Sequence, residues 1–330
     1  MPKKSNEKIA QNLARTGDLL FVSHLENLYA TSNTDLNKLP EEKQKELQEM
    51  AKNTHVATTL AFEKGRMVLE TFTNFNENME KFAIFDESGS VNVKSKLGPG
   101  TGYAAMAINL DMNKIDAIIQ EYNPDIMEEL YREMGPTASL IKGIAGDRLS
   151  SIMSGAFGVA LLSKPGSMEF AKDPKMHLYA GMGKSSEMIA NLFADLLSAG
   201  DVQKLADGVY QMDRAIAKIE KNEMVMWSGM DTKDGEISFQ NLDVPSNIPS
   251  FGDKPFSMYI DLSEMDIDNL GVDPMMAELS QMGDFISLEA DNSGGKLIVQ
   301  LKNTKDNFLN AFVKSYQSEI ESLSDQGLAF

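Results

Sequence analysis

The stretch that most limits what this chain can become lies between Asp284 and Tyr316. Phe285-Ile286-Ser287-Leu288-Glu289-Ala290 runs into Asp291-Asn292-Ser293-Gly294-Gly295 and resumes as Lys296-Leu297-Ile298-Val299-Gln300-Leu301. Two short runs rich in β-branched and aromatic residues flank a turn with two glycines, the pattern of a β-hairpin. Asn303-Thr304 offers a helix cap, and Phe308, Leu309, Phe312, Val313 and Tyr316 follow at helical spacing. The unit reads strand, turn, strand, helix.

The same unit is expected near the other end of the chain. Residues 56–62 read as a strand, Glu63-Lys64-Gly65 as a turn and 66–73 as a second strand, followed by a helix carrying Met79, Phe82, Ala83 and Phe85. Gly65-Arg66-Met67-Val68-Leu69 aligns with Gly295-Lys296-Leu297-Ile298-Val299. At the same offset Asn76, Met79, Phe82 and Ala83 align with Asp306, Leu309, Phe312 and Val313. A copied supersecondary unit explains both sets of matches.

Taken in order, the chain begins with a helix over 6–16 on Ile9, Ala10, Leu13 and Ala14, then a strand over 18–23 and a charged surface helix over 41–52. Lys94 to Gly102 packs Gly98-Pro99-Gly100-Thr101-Gly102 into a loop signal and reads as a linker. A strand over 103–110 and an Asp111-capped helix with Ile115, Ile118 and Ile119 come next. Pro124 then opens a helix over 125–134. The apolar run 152–162 reads as a central strand, with glycine where another backbone comes close. After a strand at 176–181, Ser185 or Ser186 caps a helix carrying Met188, Ile189, Leu192, Phe193, Leu196 and Leu197, and helical patterning resumes over 202–219. Strands at 222–228 and 255–262 precede the last hairpin. Strands in meanders and hairpins, interrupted by helices, give an α+β fold with largely antiparallel sheets and packed helices. It is built from two related strand-turn-strand-helix modules: residues 1–95 as a partial first module and 96–330 as a complete second one.

Chemistry is sparse. A formal net charge of -18 over 330 residues argues against nucleic-acid or anionic-membrane surfaces, which are bound through Lys and Arg. With no cysteine, disulfides, thiol catalysis and Cys-ligated metals drop out. No apolar run approaches the ~20 residues of a membrane helix. Gly181-Met182-Gly183-Lys184-Ser185 opens a helix after a strand, but Leu178 stands where a phosphate loop needs glycine. Asp266-Ile267-Asp268-Asn269-Leu270-Gly271 starts like a calcium loop, then places Leu270 and Ala277 at ligand positions. Loose divalent-ion binding by the acidic segment 261–273 is what remains of that reading. His24, His55 and His177 share no metal-ligand spacing, and no nucleophile elbow or zinc-protease motif occurs. The 22 methionines sit mostly at apolar positions and read as core. No catalytic residue, cofactor-binding residue or cofactor is assigned, and metal ligands stay unknown.

Several local features resemble a large uncharacterised family of Bacteroidota envelope proteins, usually exported as lipoproteins. They are Gly98-Pro99-Gly100 with the strand Ala104-Ala105-Met106-Ala107-Ile108-Asn109-Leu110, and Gly146-Asp147 leading to Phe157-Gly158-Val159-Ala160-Leu161. Asn222-Glu223-Met224-Val225 and the closing hairpin-helix unit complete the set. The resemblance covers most of 96–316, and residues 1–95 look like the latter half of an earlier copy. It transfers no functional residue and implies no established activity. Met1-Pro2-Lys3-Lys4-Ser5-Asn6-Glu7 has no apolar core after it, so no export signal or lipidation cysteine is read. The expectation is a non-enzymatic cell-envelope scaffold binding an unknown protein or small molecule, located in the periplasm or at the outer-membrane surface if an export segment is missing from the chain, and otherwise cytoplasmic. The alternative is a hydrolase using acidic residues with a loosely bound divalent cation.

Overall fold

The computed structural model describes residues 17–26, 41–52, 54–88, 92–133, 142–143, 146–185, 188, 202–212, 214–220, 222–229, 240–265 and 281–314. Among the described residues thirteen strands appear in chain order: β1 (Leu19–His24), β2 (His55–Glu63), β3 (Arg66–Asn74), β4 (Ala104–Asn109), β5 (Met153–Leu161), β6 (Met176–Met182), β7 (Val202–Ala206), β8 (Val209–Met212), β9 (Ala215–Glu220), β10 (Glu223–Ser228), β11 (Phe256–Asp261), β12 (Gly283–Asp291) and β13 (Gly294–Leu301). The helices are α1 (Glu41–Ala51), α2 (Met112–Tyr122), α3 (Ile126–Glu133), α4 (Leu149–Ile152) and α5 (Met168–Lys172), with a further helical stretch over 308–314. Single 3-10 turns cover Glu80–Phe82 and Val93–Lys96. The fold is α+β with antiparallel strand pairing. Two compact units divide it: the described residues of Met1–Glu80 with Asp261–Phe330, and those of Lys81–Ile260.

In the first unit the order is β1-β2-β3-β13-β12. Strand β2 alternates buried His55, Ala57 and Thr59 with half-buried neighbours, so one face of the pleat turns inward. The two copied hairpins lie side by side, joined through their second strands, with Gly294 opposite Phe72 and Gln300 opposite Arg66. Their sequels differ. After β13, Asn307 Oδ1 accepts from the Leu309 amide at 3.0 Å, and Phe308 packs on Phe62 and Phe312 at centroid distances of 6.3 and 6.4 Å over buried Val299 and Leu301. The cap is thus Asn307, not Asn303-Thr304. Asn303 Oδ1 instead accepts from the Lys305 amide at 3.0 Å, shaping the loop before the helix. After β3 the expected helix shrinks to the turn Glu80–Phe82. There Asn76 Nδ2 donates to the carbonyls of Met50 (2.8 Å) and Lys52 (2.6 Å), tying the segment to the end of α1.

The second unit runs β11-β4-β5-β6-β10-β9-β8-β7. Asp111 caps α2 by accepting from the amides of Asn113 and Lys114, as its position before an amphipathic run demands. On the buried side of α2, Asp116 accepts from the amides of Leu149 (2.7 Å) and Ser150 (3.2 Å), satisfying donors at the start of α4. Residues 202–219 are a meander, β7-β8-β9, rather than a helix. The deciding signal is Asp207-Gly208: Gly208 sits at φ +72°, a conformation that suits glycine, and reverses the chain after only five strand residues. The expected helices over 6–16 and after Ser186, and the acidic loop Asp266–Gly271, lie outside the described residues.

Candidate functional site

The segment read as a linker is pinned inside the second unit. Leu97 is fully buried, and residues 94–102 are stitched to residues 240–243, more than a hundred positions later. Gly98 N donates to Gln240 O (2.9 Å), Leu242 N to Lys94 O (3.1 Å), Asp243 N to Gly100 O (3.0 Å) and Gly102 N to Asp243 O (3.1 Å). The glycines answer to this closeness. A Cβ on Gly98 would lie 2.2 Å from the Asn241 carbonyl oxygen, and one on Gly102 2.4 Å from the Tyr259 hydroxyl. That hydroxyl donates to Gly102 O at 3.0 Å, and Phe251 meets the Tyr259 ring edge-on at 5.0 Å. A Gly/Pro-rich run signals a turn in sequence. Here it signals two backbones in contact.

Two clefts flank the stitched loop. One, of about 580 Å³, is lined by residues that include Pro99, Thr101, Asp173, Lys175 and His177. The other, of about 500 Å³, is lined by Asn92, Lys94, Asn241, Asp243, Phe251 and Asp253 among others. The first holds the more distinctive group. His177 is 1% exposed and stands opposite Trp227 in the β6–β10 register, with the rings edge-to-face at 5.9 Å. Its Nδ1 lies 2.7 Å from Leu97 O; a carbonyl can only accept, so Nδ1 carries the proton and Nε2 the lone pair. Burial pushes the imidazole down to about 4, with the Leu97 hydrogen bond acting the other way, so His177 is neutral at pH 7.

The surrounding polar groups serve to hold the walls. Lys175 N donates to Ser163 Oγ (3.0 Å) and Leu162 N to Lys175 O (2.8 Å). Arg214 Nη1 donates to Lys172 O at 2.9 Å and approaches Asp173 at 3.9 Å. Two residues along β6, the buried Tyr179 hydroxyl donates to Glu223 Oε1 (3.4 Å), while Lys96 Nζ pairs with Glu223 Oε2 (3.0 Å). Desolvation first, then the Glu223 charge and hydrogen bond, raise the Tyr179 phenol well above its ordinary range.

His24 and His55 are directly opposed across β1 and β2, with ring centroids 5.9 Å apart, and His177 belongs to the cleft. Around Gly181–Ser185, Gly183 N donates to Ile152 O (2.8 Å) and Ser185 N to Ser151 O (3.0 Å), so two amides a phosphate would need are bound within the protein. The cleft escaped sequence reasoning because its two sides are far apart in the chain; the glycine cluster was the local sign of it.

No family model matches the sequence, and no curated protein matches it. Two solved structures show a distant likeness: crystal forms III and I of TP0453, a Treponema lipoprotein. Each is 12% identical and is matched over 86% of its own length; they cover 68% and 70% of this chain, with TM-scores of 0.35 and 0.33. No family is assigned. Among the described residues no helix is long and apolar enough to cross a membrane.

Proposed function

We propose that this chain is a non-enzymatic binding scaffold of the cell envelope that takes a ligand in the cleft beside the Gly98–Gly102 loop. The observation that carries the reading is the construction of the cleft. The loop along it is fixed by four backbone hydrogen bonds to the 240–243 strap, and its lining includes the buried neutral imidazole of His177. A rigid rim lowers the ordering cost of binding, and an acceptor nitrogen supplies orientation. The chemical groups on the cleft are one hydroxyl, one lysine, one imidazole and one carboxylate, Asp173. Acid–base hydrolysis through paired carboxylates asks for a second. The envelope assignment rests on the sequence resemblance, and the modular division into 1–95 and 96–330 rests on the hairpin repeat.

The test is a thermal-shift screen of small polar ligands against wild type and His177→Gln. Ligands that raise the melting temperature of the wild type alone support the cleft; equal shifts in both proteins would remove it. Fractionation of cells producing the natural gene decides location, since recovery in the soluble cytoplasmic fraction would end the envelope assignment. The hydrolase alternative has one favouring observation, the shared presence of Asp243 and Asp253 on the second cleft. Metal-stimulated turnover of an ester or glycoside substrate, lost in both Asp243→Asn and Asp253→Asn, would establish it over the scaffold reading.

A further inference from the structure

A row of three polar side chains runs across β1, β2 and β3. His24 pairs with His55 in one ladder and His55 pairs with Asn74 in the next, so all three occupy one face of the sheet. His55 is 0% exposed, Asn74 is buried and His24 is half-buried, which opens the row toward solvent on the His24 side. Asn74 Nδ2 lies 3.4 Å from His55 Nδ1. Asn74 Oδ1 is the one buried side-chain oxygen or nitrogen among the described residues with no hydrogen-bond partner. An orphaned buried carbonyl beside two imidazoles asks for a physical reason.

We propose that His24 and His55 bind a first-row transition-metal dication of the Zn²⁺ and Cu²⁺ class, with Asn74 as a positioning residue. A ligating imidazole nitrogen sits about 2.0–2.1 Å from the metal, which puts each ring centroid about 3.2 Å away. At N–metal–N angles of about 110° to 140° the two centroids are then about 5 to 6 Å apart, and His24 and His55 stand at 5.9 Å. Metal binding is an exchange in which each imidazole gives up the proton or hydrogen bond on its ligating nitrogen, so affinity weakens as pH drops. Asn74 completes the arrangement from behind. With its amide turned over, Oδ1 faces a His55 Nδ1–H at the same separation. That fixes Nε2 as the His55 ligating nitrogen and moves the unpartnered position from the oxygen to Nδ2. Two protein ligands leave the remaining positions to water or to an external anion. Two imidazoles select a borderline metal over Mg²⁺ or Ca²⁺, whose sites are built from oxygens.

The experiment is calorimetric titration of the full chain with Zn²⁺ at pH 7.5 in excess Mg²⁺, which occupies the acidic surface. Electron paramagnetic resonance of the Cu²⁺ form is recorded in parallel. One equivalent of Zn²⁺ is expected, weakened at least tenfold in His24→Ala, with Cu²⁺ spectra showing two equivalent nitrogens in the wild type and one in the variant. Asn74→Ala weakens Zn²⁺ about tenfold, while His177→Gln leaves it unchanged. His24 is half-buried, so its variant retains the fold; a circular-dichroism melt confirms this before titration. Zn²⁺ binding that Mg²⁺ abolishes, that survives His24→Ala, or that falls equally in His177→Gln overturns the proposal.

Discussion

His55 and His177 are buried to nearly the same degree and held in opposite ways. His177 has one strong partner, the Leu97 carbonyl, and otherwise lies against Trp227, so its neutral form is fixed and one tautomer is chosen. His55 stands in a polar row, between His24 on one strand and Asn74 on the other, with an orphaned carbonyl oxygen beside it. The lesson is that burial does not assign a histidine its role. A single short hydrogen bond turns an imidazole into a fixed acceptor, whereas a second imidazole across the ladder makes it half of a chelate. The surroundings differ too: His177 sits beneath a stitched loop, and the polar row lies at the far end of two ladders.

The largest effect that would break this contrast comes from the loop that holds His177. Gly98→Ala places a methyl group 2.2 Å from a carbonyl oxygen that is itself backbone. It is expected to cost about 3 kcal/mol in urea unfolding; a loss below ~1 kcal/mol would mean the loop and strap can part freely. Next is acid. An imidazole at about 4 when folded and near its ordinary value of about 6.5 when unfolded makes the unfolded state bind more protons between those values. Stability therefore falls as pH drops from about 6.5 through about 4, by on the order of 3 kcal/mol, and is unaffected by this group above about 7. His177→Gln flattens that part of the pH–stability curve. If the variant keeps the wild-type slope, the buried acceptor assignment is wrong.

Smaller effects sharpen the contrast. Tyr259→Phe removes the hydroxyl that reaches Gly102 O and should cost about 1–2 kcal/mol, because a buried carbonyl loses its donor. Asn74→Ala in the metal-free protein changes stability by less than about 1 kcal/mol, since losing a long 3.4 Å contact is offset by removing an unpaired oxygen. A large loss there would show that Asn74 carries the row by itself.

Much of the strand content was legible in the sequence. Alternation and the turn glycines place β2, β3, β12 and β13 within a residue or two, and Asp111 announces α2. The misreading of 202–219 has a simple cause: strands of four to six residues are too short for a period of two to stand out against 3.6, and Asp207-Gly208 was the stronger signal. The missing helix after β3 is a tertiary effect, since Asn76 is committed to the end of α1. The cleft was illegible for another reason. Leu97 and His177 touch across 80 positions, and Gly98 meets Gln240 across a still longer interval, so neither contact leaves a local pattern. The His24–His55 pairing was equally hidden, because 31–40 intervenes and spacing alone cannot set register.

The pairing of β3 with β13 also has a consequence for synthesis. Phe72 and Gly294 are partners, so the ribosome must add roughly 220 residues, about ten to forty seconds of elongation, before the first hairpin meets its neighbour. During that interval β3 offers its unpaired hydrogen-bonding edge to other nascent chains, and Lys81–Ile260 can assemble first. Chaperone demand and vulnerability to proteases should therefore peak in the window before translation reaches the closing hairpin.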